Sequence, residues 1–291
     1  MILIFIVFLF LNIALNLNTV MSSVYDSLIL WFYNVFPSIF IFFNISTYLI
    51  QNIYFIKLSY VFKFLIKYDS HKAYCLLFIN IFLGNPGTVK LINKSYENNE
   101  ISYSDYIKLN DTTFFMNPLL IISFTNIYFY LIYLLCGFIY IKLYNYFYKA
   151  NNSITVHDYK LTSDNSKYTF SSLVNSINSS INILLNVCGL ITFFNVFKTT
   201  MIFIFNILNI SISNIILSFL EIASGLKIIE KYNNPILYIL LFSSQGVCIL
   251  FQSFSILYKK NISFKRYILS HLISSLCITL IFIILKFLFH I

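Results

Sequence analysis

Residues 83–92 read LGNPGTVKLI and close an apolar run that begins near Ala73, where a membrane-spanning helix is expected. Proline removes a helical hydrogen bond and glycine lowers helix stability, so this cluster interrupts the helix. Backbone groups freed at membrane depth need protein or a wet cavity around them. We therefore predict a helix break at a polar site, formed by Gly84, Asn85, Pro86 and Gly87. The alternative is a simple kink in a packed helix.

The composition is that of an integral membrane protein. The chain has 291 residues, of which 59% are hydrophobic and only 10% are charged, and its mean hydropathy is +0.82. Apolar stretches recur from end to end, and a bilayer core of about 30 Å needs roughly 20 apolar residues per helical crossing. The alternation of apolar and polar residues that is typical of an outer-membrane barrel is missing. These features predict an all-α, polytopic helical membrane protein.

The charge and the cysteine pattern argue against several function classes. The net charge is +9, but the 19 Lys and Arg residues are scattered at the edges of apolar segments. This distribution is typical of membrane-flanking lysine and indicates no nucleic-acid partner. The five cysteines and four histidines have no zinc-ligand spacing, so we expect no metal and no cofactor. No catalytic motif is present, and we expect no enzymatic activity.

Two apolar regions are predicted at the start of the chain. Residues 1–21 lack the basic start and the cleavage pattern of a signal peptide, which predicts an uncleaved transmembrane helix. Residues 27–58 are too long for one crossing and too short for two, and they contain Pro37. This length and the proline predict a re-entrant hairpin or a sharply broken helix.

The next apolar region is expected at residues 112–148. It is broken near its start by Pro118 and has room for a short segment and one full crossing. A polar loop precedes it, in which Ser102 and Asp105 predict the start of a short amphipathic helix. A hydrophilic linker, residues 149–172, then divides the chain.

Three pairs of motifs occur in the same order on the two sides of the linker. The pairs are FPSIFIFFN (36–44) with CGLITFFNV (188–196), NPGTVKLI (85–92) with IASGLKII (222–229), and NPLLIISF (117–124) with SQGVCILF (244–251). The matching predicts two internal repeats, residues 22–148 and 173–291, and a counterpart helix break at Ser224 and Gly225. Internal repeats with broken or re-entrant helices are characteristic of transporter folds.

Glu221 is a candidate for a polar site because it lies inside an apolar segment. A carboxylate at membrane depth costs about 2.5 to 3.5 kcal/mol on insertion scales, so it normally faces a cavity or a partner. Glu221 is therefore predicted to contact a solute or a cation, or to carry a proton. The structural alternative is an ion pair with Lys90 or Lys227 that fixes helix packing. In the functional interpretation, these lysines neutralise Glu221 or attract an anionic group.

Side-chain amides are the other candidate solute contacts. Gln245 and Gln252 are seven residues apart, so on an unbroken helix they share a face. Asn85 and Asn117 each precede the proline of a predicted break. Amides in such positions are as consistent with helix association as with ligand binding.

Five short motifs of the chain follow one another in a recognisable order. They are Phe36-Pro37-Ser38, Gly84-Asn85-Pro86-Gly87-Thr88-Val89-Lys90-Leu91, Asn117-Pro118-Leu119, Leu220-Glu221-Ile222-Ala223-Ser224-Gly225, and Gly246-Val247 with Gln252. Together they resemble the motifs of the sporulation integral membrane protein YlbJ family, which belongs to the nucleoside-recognition, or Gate domain, membrane proteins. The family pattern is closer to G-Y-P-x-G-A-K, and Asn85, Thr88 and Val89 depart from it here.

The resemblance implies a role in endospore cortex formation, in the cytoplasmic or forespore membrane of a spore-forming bacterium. Combined with the predicted breaks, it leads us to expect a transporter-like protein that binds or moves a small polar solute. The partners expected are membrane lipid and sporulation membrane proteins. The alternative is a non-transporting scaffold that recruits cortex or spore-coat assembly partners. Nucleoside binding is implied by the domain name alone.

Overall fold

The structure is a computed structural model that describes residues 2–148, 170–210, 213–257 and 262–289. Every regular element in these ranges is helical, as predicted. The first half contains α1 (Ile2–Leu15), α2 (Leu17–Leu30), α3 (Phe36–Leu49), α4 (Ile53–Ser59), α5 (His71–Leu83), α6 (Gly87–Glu97), α7 (Tyr103–Asp111), α8 (Pro118–Phe124) and α9 (Ile127–Phe147). The second half contains α10 (Phe170–Ile207), α11 (Asn214–Ser218), α12 (Ile222–Glu230), α13 (Pro235–Ser244), α14 (Gly246–Leu257) and α15 (Phe264–Phe289).

Helices of membrane-spanning length confirm the predicted protein class. Within the described ranges, five helical runs are long and apolar enough to cross a bilayer: Leu17–Leu49, Ile127–Phe147, Val174–Ile207, Pro235–Leu257 and Phe264–Phe289. The outward face of α15 exposes large apolar side chains, among them Leu276, Leu280 and Ile284. Such a face is stable against acyl chains and not against water. The chain is therefore an integral membrane protein in contact with lipid.

The long and broken helices come in the same order in both halves, although α4 has no counterpart in the described part of the second half. A long helix (α2–α3 or α10) is followed by two broken helices and a final long helix (α9 or α15). The broken helices are α5/α6 and α7/α8 in the first half, and α11/α12 and α13/α14 in the second. The three matched sequence pairs fall on α3 and α10, on α6 and α12, and on α8 and α14. The matched pairs therefore fall on helices that come in the same order in the two halves, and the division into two repeats stays a prediction.

The two long helices that open the halves pack along each other. Their contact is marked by hydrogen bonds between small polar groups, which are typical of helix association in membranes. Asn195 Nδ2 donates to Ser27 Oγ at 2.8 Å, and the hydroxyls of Thr47 and Ser176 lie 2.6 Å apart. These bonds hold the halves together along one side of the molecule.

The segment around Pro37 is a continuous helix and not the predicted hairpin or sharp break. A π-helical turn, Trp31–Val35, joins α2 to α3 directly before the proline, and the whole run Leu17–Leu49 spans 33 residues. Ser38 Oγ donates to Val35 O at 2.9 Å, so a side chain satisfies part of the altered backbone. A π turn absorbs the missing proline N–H without reversing the chain.

The end of the first helix and the end of the linker differ from the prediction, and the start of α7 agrees with it. The first helix ends at Leu15 rather than near residue 21, and α2 begins the next long run at Leu17. The linker 149–172 lies outside the described residues except for its last three, which begin α10. A helix after Ser102 is confirmed as α7, and Ser102 Oγ caps it by accepting the N–H of Asp105 at 3.0 Å. It is not amphipathic as predicted, because residues 105–111 are all buried.

Candidate functional site

Helix breaks from both halves meet at one place. The side-chain amide of Asn85, in the α5/α6 break, donates to Thr113 O at 2.7 Å and to Gln245 Oε1 at 3.0 Å. The Nε2 atom of Gln245, in the α13/α14 break, donates to the same carbonyl oxygen, Thr113 O, at 2.9 Å. Thr113 lies in the extended α7/α8 connection. These three hydrogen bonds therefore join three helix breaks. Two of the breaks, α5/α6 and α7/α8, are in the first half, and the third, α13/α14, is in the second half.

The fourth break, between α11 and α12, is tied to the start of α14. Val247 N donates to Phe219 O at 2.8 Å, and Cys248 N donates to Leu220 O at 3.0 Å. The first N–H groups of a helix and the carbonyls of a broken one both lack helical partners. Pairing them satisfies both sets where water is scarce.

Close backbone contacts explain the glycines at two of these breaks. Gly84 has φ +66°, and a Cβ atom there lies 2.9 Å from Asn117 N. Gly246 has φ +63°, and a Cβ atom added there would lie 3.2 Å from Phe219 O. Any side chain at Gly84 collides with the neighbouring break, so glycine allows the backbones to approach.

Glu221 is buried at the first position before α12, with 1% of its surface exposed. Its Oε1 atom accepts the N–H of Ala223 at 2.9 Å, and its Oε2 atom accepts the N–H of Ser224 at 2.7 Å. A carboxylate in this position satisfies orphan N–H groups and interacts favourably with the helix dipole. Glu221 therefore caps its own helix, a local role that the sequence analysis did not anticipate.

Lys198, on α10, is the lysine connected to this carboxylate. Its Nζ atom donates to Ser224 Oγ at 2.8 Å, and Ser224 in turn donates its N–H to Glu221. The two predicted lysines lie elsewhere, since Lys227 is exposed and Lys90 Nζ donates to Ser179 O at 3.4 Å. The signal for Lys198 was present in the sequence, as a lone lysine inside an apolar segment.

A cavity of about 40 Å³ lies between the two halves, next to these breaks. Its polar lining consists of Ser38, Asn85, Asn117, Glu221 and Gln252. Its apolar lining includes Val187 and Ile191, halfway along α10, which places the cavity near the middle of the membrane-spanning run Val174–Ile207. A volume of this size holds a few water molecules or a small ion.

The cavity brings together Asn85, Asn117, Glu221 and Gln252, four of the predicted site residues, together with Pro86. Asn117 is also structural, since its Oδ1 caps α8 through Leu119 N and its Nδ2 donates to Phe82 O. Gln245 is outside the lining and instead positions Asn85. It has φ +62° and ends α13, so Gln245 and Gln252 do not share an unbroken helix.

The remaining predicted break residues occupy different places. Gly87 and Pro118 are the first residues of α6 and α8. Ser224 and Gly225 lie inside α12, so the break lies earlier, at residues 219–221. A Cβ atom on Gly225 lies only 2.2 Å from Ser218 O, which shows that this glycine permits close packing of α11 on α12.

Two buried oxygen atoms of the cavity lining have no hydrogen-bond partner. They are Asn85 Oδ1 and Gln252 Oε1, on side chains that are 5% and 4% exposed. Buried polar atoms are nearly always paired with protein or with ordered water. Other buried amides away from the cavity, such as Asn80 and Asn195, also have an unpaired oxygen, so what distinguishes these two is their place next to the cavity.

Comparisons with known proteins give no family assignment. No family model matches the chain, and neither a curated protein nor a solved structure matches it. Within the described ranges, no three His, Cys, Asp or Glu side chains are grouped as ligands of a metal ion. The geometry of the cavity and the motifs of the sequence are therefore the basis for a functional proposal.

Proposed function

We propose that this membrane protein binds a small polar solute in the cavity between its halves and moves it across the bilayer. The observation that carries the proposal is a cavity at the junction of helix breaks from both halves, whose mostly apolar lining includes five polar side chains. Broken helices near the membrane centre form the substrate sites of many transporters with internal repeats. The unpaired oxygens of Asn85 and Gln252 supply contacts for a bound solute.

Movement of a solute requires the cavity to open on each side in turn. Polar bonds join the halves at the breaks, including the one from Asn85 to Gln245. Gly84 and Gly246 have positive φ angles next to this contact. Small rotations at these positions separate the breaks without unfolding the long helices, which is a common form of gating between repeats.

We further propose that this activity serves endospore cortex formation in the cytoplasmic or forespore membrane. The support comes from the sequence motifs that resemble the YlbJ family. Each of the five motifs contributes a residue to the cavity lining, namely Ser38, Asn85, Asn117, Glu221 and Gln252. Motifs spread over more than 200 positions thus form one site, which favours a shared function over a chance match.

A non-transporting scaffold is the second candidate, and two observations favour it. The cavity volume of about 40 Å³ is far below the roughly 300 to 1,000 Å³ of sites for drug-sized ligands. The Glu221 carboxylate also has a complete structural explanation as a helix cap. In this alternative, the breaks provide packing, and outer surfaces recruit cortex or spore-coat assembly partners.

Uptake into vesicles containing the purified protein tests transport directly. Nucleosides, sugars, peptides and inorganic ions are supplied separately, and uptake is compared for the unaltered protein, Glu221→Gln and Glu230→Gln. Glu230 is a matched control, because it is an exposed glutamate at the other end of α12. We expect uptake of one solute class that Glu221→Gln abolishes and Glu230→Gln retains. Absence of uptake across all classes would favour the scaffold.

The cellular role is tested by sporulation. Deletion of the protein in its own host is expected to reduce the yield of heat-resistant spores, and the unaltered gene restores it. Glu221→Gln is expected to restore it poorly and Glu230→Gln fully. Normal heat resistance in the deletion strain would refute the role in cortex formation while leaving transport open.

A further inference from the structure

Each amide and hydroxyl donor of the cavity lining makes at least one bond to protein, whereas two of its amide oxygens make none. Asn85 Nδ2 uses both hydrogens, on Thr113 O and Gln245 Oε1. The hydroxyl of Ser38 donates to Val35 O, and Asn117 Nδ2 donates to Phe82 O. These bonds also fix the orientation of the Asn85 amide, so its oxygen is the unpaired atom.

Gln252 adds a second unpaired oxygen. Its Nε2 atom donates to Cys248 Sγ at 3.3 Å, and its Oε1 atom has no partner. Glu221 adds a carboxylate, since each of its oxygens accepts one N–H and retains further acceptor capacity. The lining therefore offers a carboxylate and two unpaired amide oxygens, which suits a ligand that is positively charged.

The charge around the cavity favours the same class of ligand. Among the residues that line the cavity, Glu221 alone has a charged side chain. Lys198 is not part of the lining, and its Nζ atom points to Ser224 Oγ. The lining therefore contains no positively charged side chain that would oppose a bound cation.

We propose that the cavity binds one small monovalent cation, held by Asn85 Oδ1, Gln252 Oε1 and the Glu221 carboxylate. This inference rests on the proposed function and names the class of ligand. Alkali cations bind to rings of neutral oxygens, and broken membrane helices commonly supply them. A divalent cation needs more carboxylate oxygens, and within the described residues no three acidic or other metal-ligating side chains are grouped. A cavity of about 40 Å³ accommodates such an ion with one or two waters.

Thermal unfolding of the purified full-length protein tests this proposal. Lithium, sodium, potassium and choline chlorides are compared at constant ionic strength, because a ligand that binds only the folded state raises the unfolding temperature. We expect a saturable rise with one alkali cation and none with choline. Gln252→Leu is expected to weaken the apparent affinity at least tenfold.

Asn195→Leu is the matched control for this variant. Asn195 is also a buried amide with an unpaired oxygen, but it lies outside the cavity lining. It is expected to change the baseline unfolding temperature and to leave the cation affinity unaltered. Equal loss of affinity in both variants would show a general structural effect and overturn the assignment of the site.

The outcomes separate this inference from the proposed function. An equal rise with choline would show an ionic-strength effect and overturn the cation site. Stabilisation by a neutral solute but by no alkali cation would also overturn it, while the solute-binding function would stand. No stabilisation by any cation or solute, together with no uptake into vesicles, would refute both.

Discussion

The side-chain amides of Asn85 and Gln245 are hydrogen-bonded to each other although they are 160 positions apart in the chain, with Nδ2 3.0 Å from Oε1. Both amides also donate to Thr113 O. The bond joins a break in the first half to a break in the second. It therefore links the two halves directly beside the cavity.

This contact predicts energetic coupling between the two amides. Asn85→Leu and Gln245→Leu each leave buried polar atoms unpaired, which costs about 1 to 3 kcal/mol per variant. The double variant is expected to cost less than the sum, with a coupling energy of about 0.5 to 3 kcal/mol. The free energy of unfolding in a detergent titration measures all three variants. Additive losses would show that the two amides act independently.

Gly225 is predicted to be intolerant of a methyl group. Gly225→Ala places Cβ 2.2 Å from Ser218 O, so α11 and α12 must separate. We expect a loss of about 1 to 3 kcal/mol in stability, which is typical of overpacking. Gly189→Ala serves as the control, since a Cβ atom there has nothing within 4 Å. Thermal unfolding of both variants decides the question, and equal stability would contradict the close packing seen here.

Glu221→Asp is expected to separate helix capping from ligand binding. Aspartate caps helices as well as other preferred residues do, so stability should change by no more than about 1 kcal/mol. The shorter side chain draws the carboxylate back from the cavity, and we expect the affinity for the bound solute or cation to fall at least about tenfold. Unfolding temperature and ligand titration are measured on the same sample. Unchanged affinity would indicate that Glu221 serves only as a cap.

Lys198→Met is expected to strengthen cation binding. Removal of its ammonium group makes the surroundings of Glu221 more negative, and a favourable change of about 1.4 kcal/mol corresponds to a tenfold gain in affinity. Methionine keeps the apolar stem of the side chain and loses the bond to Ser224 Oγ. The cation-dependent rise in unfolding temperature should therefore begin at lower concentration. A weaker response would show that Lys198 positions the site rather than opposing the cation.

The sequence by itself determined the protein class and several helix breaks. Apolar composition and segment length are summed along the chain, so they predict membrane helices without knowledge of any contact. The breaks at residues 84–86 and at Asn117 follow from proline and glycine, whose effects are local to the backbone. The local start of α7 was predictable for the same reason, because Ser102 caps it from one residue before.

Only the tertiary structure decided what surrounds Glu221 and how the breaks meet. Pro37 lies in a continuous helix that a π turn interrupts just before it. The break predicted at Ser224 lies earlier, at residues 219–221, and Gly225 packs closely against Ser218. The connection of Lys198 to Glu221 through Ser224 joins α10 to α12. Contacts of this kind depend on which side chains from distant segments come within a few ångströms of each other. The local sequence pattern does not specify which distant side chains come into contact, and only the tertiary fold determines this.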